Sequence, residues 1–418
     1  MKLFDGLKTG TFKDLIQASG ILFLASAIAN LCSLLFTLYM VRNLTAVEYG
    51  VLNTLFSLLM ILSMPAGTLQ LVVTKFVSNF AGNRDFALIK SFIIHFGKRI
   101  LLLGVIFLAI FMVVAPAIAD FLKIASLALI IIIGFMLFFS FVAPLMMGIL
   151  QGMQKFLALS INSIVSSIIK LILGITLVAY GFKVMGALLG IGLTLLLSLI
   201  LAYFQLPREL FRIKECKAGE LSMDSVYKYS VPVFFSLLAW MVLTNGDVIL
   251  VKHYFSPEDA GFYSVAQMAG KIILFLPLVV TIVLFPKMNE DFSQQKSALP
   301  LLKKGLALIA VICVGVGIFC SLFPGFVLKV LTRKEHIESV RLVPFFCSAM
   351  IFYALVNQFI SYNLAVHRFR FTAYLLGAAL LQLGLISLWH PSLLTVLFSL
   401  NICSILLFSA GCLEAIRK

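Results

Sequence analysis

Charge is scarce in this sequence. Only 12% of its 418 residues are Asp, Glu, Lys or Arg, and 17 are acidic. Five histidines (His95, His253, His336, His367 and His390) are scattered, with no HExxH pair, and the seven cysteines form no CxxC spacing. These absences leave neither a ligand set for a metal nor a disulfide framework. Most of the cysteines sit inside apolar runs and read as small packing residues. No catalytic residue, metal or cofactor is assigned. What the chain has in quantity is apolar surface: 62% of its residues are hydrophobic and the mean hydropathy is +1.12. A soluble protein of that composition would expose large apolar patches and aggregate. A bilayer is the natural solvent, and each helix crossing it needs about 20 apolar residues. The chain therefore reads as an all-α polytopic membrane protein of the cell (inner or plasma) membrane.

The start carries Lys2, Lys8 and Lys13, then an apolar run containing "ASA" at 25–27. That run continues to Val41, too long for a cleaved signal segment. Residues 1–16 (with Leu3, Phe4, Leu7, Phe12 and Leu15) read as a cytoplasmic amphipathic segment leading into an uncleaved first span. Apolar windows place twelve transmembrane helices near 17–41, 50–74, 97–119, 124–148, 157–181, 184–206, 229–252, 261–285, 305–328, 341–365, 371–389 and 392–413. With both termini cytoplasmic, the inner segments hold 22 lysines and arginines and the outer loops hold 8. This is the asymmetry that orients membrane proteins. The net charge of +15 thus reports topology and calls for no nucleic acid. The outer loops are short, and their few acidic residues (Glu48, Asp120, Glu258, Asp259, Glu335, Glu338) offer no folded surface for a membrane-bound glycan enzyme. That class is disfavoured.

Two stretches repeat one phrase: "TAVEYGVLNTLFSLLMILSMPAGTLQLVVTK" at 45–75 and "SPEDAGFYSVAQMAGKIILFLPLVVTIVLFPK" at 256–287. Pro65 and Pro277 are 212 residues apart, as are Lys75 and Lys287. "QGMQKF" at 151–156 closes the fourth span as "LAVHRF" at 364–369 closes the tenth. The pattern divides the chain into a six-helix lobe over 17–206, a basic cytoplasmic linker over 207–228 and a second six-helix lobe over 229–418. Because each half has an even number of spans, the halves are parallel repeats, an architecture typical of alternating-access transporters. Gly50 and Gly261 are expected to allow tight turns into their spans. Pro65 and Pro277 are expected to kink theirs, as architecture or as hinges.

Ionisable residues inside spans are costly and usually face a water-filled interior. Lys170 lies near mid-depth of the fifth span, at the end of a polar stripe formed by Asn162, Ser163, Ser166 and Ser167. Lys271 lies near mid-depth of the eighth, one turn after Gln267. Asp247 sits in the seventh beside Asn245 and Thr244. None of the three charges recurs at the repeat offset, so the scaffold is duplicated and the charges are not. One reading is that Lys170 and Lys271 hold an anion such as a phosphate or diphosphate in a central cavity. Asp247 would then balance them or take up a coupling proton or sodium ion. The other is a buried Asp247–Lys271 pair with Lys170 snorkelling to polar neighbours. Arg42 and Lys252 read as interfacial residues paired with Glu48 and Glu258. Asn30, Asn53, Asn162, Asn245 and Gln267 are candidates for lining the cavity or joining helices.

The phrases "VRNLTAVEYGVLNTLFSL", "QGMQKF" and "GDVILVKHYFSPEDAGFYSVAQMAGKIILFLP" resemble the oligosaccharide flippases (Wzx-like polysaccharide biosynthesis and export proteins). These belong to the multidrug/oligosaccharidyl-lipid/polysaccharide (MOP) exporter superfamily. The resemblance covers the whole chain. It implies a V-shaped pair of six-helix lobes like those of MATE transporters. It also implies transfer of an isoprenoid-diphosphate-linked oligosaccharide from the cytoplasmic to the outer leaflet, for surface polysaccharide assembly. The implied partners are that lipid-linked substrate, the bilayer and other polysaccharide-assembly membrane proteins. Peptidoglycan-precursor flippases resemble this fold but carry two further spans and several arginines in the first lobe's cavity, whereas the first two spans here hold no arginine except Arg42 at a margin. A cation-coupled multidrug or small-molecule exporter of the same fold is the alternative, with Asp247 as the coupling carboxylate. Two cavity lysines should repel its cationic substrates.

Overall fold

The computed structural model describes residues 12–82, 86–206, 224–277, 295–366 and 368–416, with isolated positions between 280 and 291. Every regular element among them is helical. We number the helices α1 (Phe12–Asn43), α2 (Ala46–Leu62), α3 (Met64–Gly82), α4 (Phe86–Phe121), α5 (Leu127–Gly152), α6 (Phe156–Leu177) and α7 (Lys183–Gln205). The rest are α8 (Asp224–Tyr254), α9 (Pro257–Phe275), α10 (Leu299–Leu322), α11 (Pro324–Thr332), α12 (Ile337–Ala365), α13 (Arg370–Leu388) and α14 (Leu393–Ile416). Ten continuous helical stretches among the described residues are long and apolar enough to cross a membrane. One of them, 156–205, turns back on itself where Gly181 adopts φ 89°, and α6 and α7 pack together. Only glycine enters that region cheaply. Large side chains such as Val113, Val311 and Leu388 are more than 70% exposed, as expected of surfaces facing lipid. This is a multi-pass membrane protein.

The helices gather into two compact units. The first contains α1 as far as Met40, Pro65–Ile118 and the chain from Ser126 through α7. Its core joins α3, α4 and α5 through Val73, Val77, Ile89, Phe92 and Ile149, all at most 3% exposed. Gly148 and Gly152, one turn apart, let α5 lie directly on α3, since a Cβ on either would meet Val73 or Val77 at 2.8 Å. Small residues at this spacing are a common device for close helix packing in membranes. The second unit contains Val41–Met64, Ala119–Ala125 and the chain from α8 onward. Within it α12 packs against α9, α10 and α14, and Val343, Phe346, Met350 and Tyr353 are fully buried along its length.

The starts of the duplicated phrases meet inside the second unit. Thr45 caps α2: its hydroxyl accepts from the Glu48 N–H at 3.2 Å, and its own N–H donates to the Glu48 carboxylate at 2.9 Å. Ser256 caps α9 likewise, accepting from the Asp259 N–H at 3.1 Å and donating to its carboxylate at 2.8 Å. Such caps satisfy orphan donors of the first turn, so each helix starts four residues earlier than its hydropathy suggests. Gly50 and Gly261 therefore lie within helices, which corrects the expectation that they form turns. They serve close approach: a Cβ on Gly50 would stand 2.9 Å from the Gly261 Cα, and one on Gly261 would stand 2.5 Å from the Ala46 carbonyl oxygen. The prolines do interrupt their spans. Helix α2 ends at Leu62 and α3 begins at Met64 with Pro65 in its first turn, while α9 ends at Phe275, just before Leu276 and Pro277. Lys287 lies outside the described residues.

The second repeated pair closes helices in one manner. The Lys155 N–H donates to the Leu150 carbonyl at 2.8 Å after α5, and the Arg368 N–H donates to the Asn363 carbonyl at 2.8 Å after α12. Both are the six-to-one bond of a Schellman-type end. The amphipathic segment expected over 1–16 falls partly outside the described residues, and from Phe12 the chain is already α1. The linker over 207–228 lies outside them as far as residue 223, and α8 begins at Asp224. Hydropathy missed α11, a nine-residue helix between two spans.

Candidate functional site

Helix α9 places Tyr263, Gln267 and Lys271 four residues apart, on one face. Asp247 on α8 is fully buried beside that face. The Tyr263 hydroxyl donates to Asp247 Oδ2 at 2.7 Å and the Gln267 amide donates to the same oxygen at 3.2 Å. Asn53 on α2 completes the network by donating to Gln267 Oε1 at 2.9 Å. Three helices are thereby joined through one carboxylate, and a buried charge is tolerated only when hydrogen-bonded in this way. Lys271 is half-buried and donates to Asn245 Oδ1 at 2.9 Å, while Asn245 in turn donates to the Met241 carbonyl and the Thr244 hydroxyl. Asp247 and Lys271 do not form a direct ion pair, which corrects that alternative: each is satisfied by neutral partners. Above the network, the Tyr353 hydroxyl donates to Gln382, which itself donates to the Leu243 carbonyl.

The first unit holds the other lysine. Lys170 Nζ, half-buried on α6, donates to Ser33 Oγ on α1 at 2.7 Å and lies 5.8 Å from the centre of the Phe36 ring. It partners α1 rather than its own serine stripe. Asn162, 2% exposed, instead ties α6 to α7: its amide donates to the Ser198 carbonyl at 2.9 Å and its oxygen accepts from the Ser198 hydroxyl at 2.6 Å. Ser166 donates to that oxygen too, at 3.2 Å. Asn30 is exposed on α1. The structure thus gathers Asn53, Asn245, Asp247, Gln267 and Lys271 in the second unit, and Asn30, Asn162 and Lys170 in the first.

Arg42, expected to pair with Glu48, makes helix-end contacts. Arg42 donates to the Leu331 and Val330 carbonyls at 2.9 and 2.8 Å, at the end of α11. Lys334 returns the contact by donating to the Leu44 carbonyl, just past α1, at 2.9 Å. A cation at a helix C-terminus meets carbonyls that have no intrahelical partner. Glu48 is occupied by its cap, and Lys252 is 2% exposed in the last turn of α8 rather than interfacial. Nearby, Lys329 and Glu335 form an exposed pair at 2.8 Å, and the hydrogen bond from Lys329 holds the Glu335 carboxyl below its ordinary range.

Residues 15–291 match the family of polysaccharide biosynthesis proteins. The chain belongs to that family. No curated protein matches it in sequence. In structure, this family member resembles an inward-facing multidrug resistance MATE family transporter of the MOP superfamily, with a TM-score of 0.73 at 13% identity over 93% of this chain and 94% of that one. It resembles the lipid II flippase MurJ in its inward closed conformation, with a TM-score of 0.72 at 14% identity over 94% of this chain and 87% of the other. A MOP superfamily transporter from Pyrococcus furiosus, described as having a binding pocket of reversed polarity, gives 0.62 at 15% identity over 96% and 95%. At such identities the likeness establishes the fold, which is that of the MOP transporters.

Sequence reasoning had missed Tyr263, the shortest donor to Asp247, and the Tyr353–Gln382 pair. The four-residue spacing of Tyr263, Gln267 and Lys271 was the available signal for the first. The second joins α12 to α13, and no local spacing reveals it.

Proposed function

We propose that this protein flips an isoprenoid-diphosphate-linked oligosaccharide from the cytoplasmic to the outer leaflet by alternating access. Twelve spans in two six-helix repeats, with both termini cytoplasmic, are part of this reading and are supported by the cation asymmetry between loops. One observation carries the substrate class. Lys271 and Lys170, one in each unit, are held within apolar helices by neutral partners, Asn245 and Ser33. A lysine has three donors, so each keeps N–H groups available to an anion. Family membership supports a glycan as the cargo, and the flippase MurJ shares the fold. Asp247 serves either as the knot joining α2, α8 and α9 or as the site of a coupling proton or sodium ion, and its complete burial favours the knot.

Mass spectrometry of lipid extracts tests the proposal. Isoprenoid-diphosphate glycan should accumulate in cells lacking the protein and in cells carrying Lys271→Ala, and Lys271→Arg should relieve part of it. Accumulation in the deletion alone would keep the flippase and reduce Lys271 to a structural residue. No accumulation, with new sensitivity to cationic compounds, would establish the exporter instead, a reading that the MATE likeness supports.

A further inference from the structure

The first unit contains a cavity of about 430 Å³ walled by α1, α3, α5, α6 and α7. That volume is in the range of small-ligand sites. Its wall carries nine polar side chains and no charged one, which separates it chemically from the lysines. An anionic or cationic ligand would find no counter-charge there, and an apolar one would strand the polar groups. Part of the wall is internally fixed. Gln151 accepts from Gln70 at 3.0 Å and from Thr74 at 3.3 Å, and Asn162 is tied to Ser198. Ser166 donates to Asn162 Oδ1 and Ser167 to the Ser163 carbonyl. Three hydroxyls are unspent: those of Ser26 and Ser163 bond to no other described residue, and that of Ser160, 2% exposed, is buried without a partner. Uncommitted hydroxyls facing a small neutral space can both donate and accept, which is the complement of a ligand bearing hydroxyl groups.

We infer that this cavity is a neutral-sugar subsite that takes the sugar ring nearest the diphosphate. The inference rests on the flippase reading above. It adds a division of labour: Lys170 meets the phosphate, and the serine wall one turn away meets the sugar. Ser166 and Lys170 are four residues apart on α6, about 6 Å along the axis, so a phosphate and the ring attached to it can reach both.

The test uses the purified full chain in lipid nanodiscs. One probe is an isoprenyl diphosphate, and the others are the same lipid carrying a single hexose or N-acetylhexosamine. The wild type should bind a sugar-bearing lipid about tenfold more tightly than the bare one, the worth of one or two net hydrogen bonds. Ser163→Leu, which fills the cavity, should bring that ratio close to one and leave the affinity for bare lipid unchanged. Lys170→Ala should weaken all the lipids alike. An unchanged ratio in Ser163→Leu, or a wild type that binds all the lipids equally, would overturn the sugar subsite and leave the flippase reading standing. Failure of the wild type to bind any of them would overturn both. If Ser163→Leu does not fold, Ser26→Val on the α1 wall carries the same comparison.

Discussion

Alanine at Gly261 should be among the most damaging single-methyl additions in the protein. The added Cβ would stand 2.5 Å from the Ala46 carbonyl oxygen and 2.6 Å from its carbon, where ordinary contact begins at 3.4 Å. Both atoms are backbone, held in the first turn of α2 by the Thr45–Glu48 capping box. No side chain can swing aside, so the two helices must separate. Overpacking of this kind costs about 1–3 kcal/mol, and a rigid backbone neighbour puts Gly261→Ala near the upper end, roughly a hundredfold in the folded-to-unfolded ratio. Gly50→Ala meets the Gly261 Cα at 2.9 Å and should cost less. Gly377→Ala, whose Cβ would have nothing within 4 Å, is the control and should be neutral or gain up to about 1 kcal/mol from helix propensity. Melting of the detergent-solubilised proteins should rank them Gly377→Ala, Gly50→Ala, Gly261→Ala in falling order. The double variant at 50 and 261 should cost less than the two single changes together, because once separated the helices accommodate both methyls. Gly261→Ala melting with the control would refute the close-approach account.

Two further changes probe the polar contacts. Tyr263→Phe removes the closest donor to Asp247 and should cost about 1–3 kcal/mol, with Asp247→Asn restoring part of the loss in the double variant. Equal melting of Tyr263→Phe and the wild type would show that the carboxylate does not depend on it. Arg42→Gln gives up two bonds to the end of α11 and should cost about 0.3–1 kcal/mol. Hydrogen exchange should show the loosening confined to 324–334 and the end of α1, and global loosening would contradict a local clasp.

The sequence by itself settled the bilayer as solvent and picked out Asp247 as a charge within a span, because each is a matter of local composition; Lys252, 2% exposed, it read as interfacial. Apolar runs of sufficient length must be helices in lipid, and the repeated prolines broke their spans as the pattern implied. Boundaries shifted where capping outweighed hydropathy: Thr45 and Ser256 started α2 and α9 early enough to draw both glycines inside. Tertiary structure alone decided what the charges touch. Asp247 and Lys271 look like a natural pair in sequence, yet Tyr263, Gln267 and Asn245 reach them first, since hydrogen-bonding distance depends on the rotation and register of packed helices. The clasp between Arg42 and α11 spans 288 and 289 residues of sequence. Only folding could bring those carbonyls to that guanidinium.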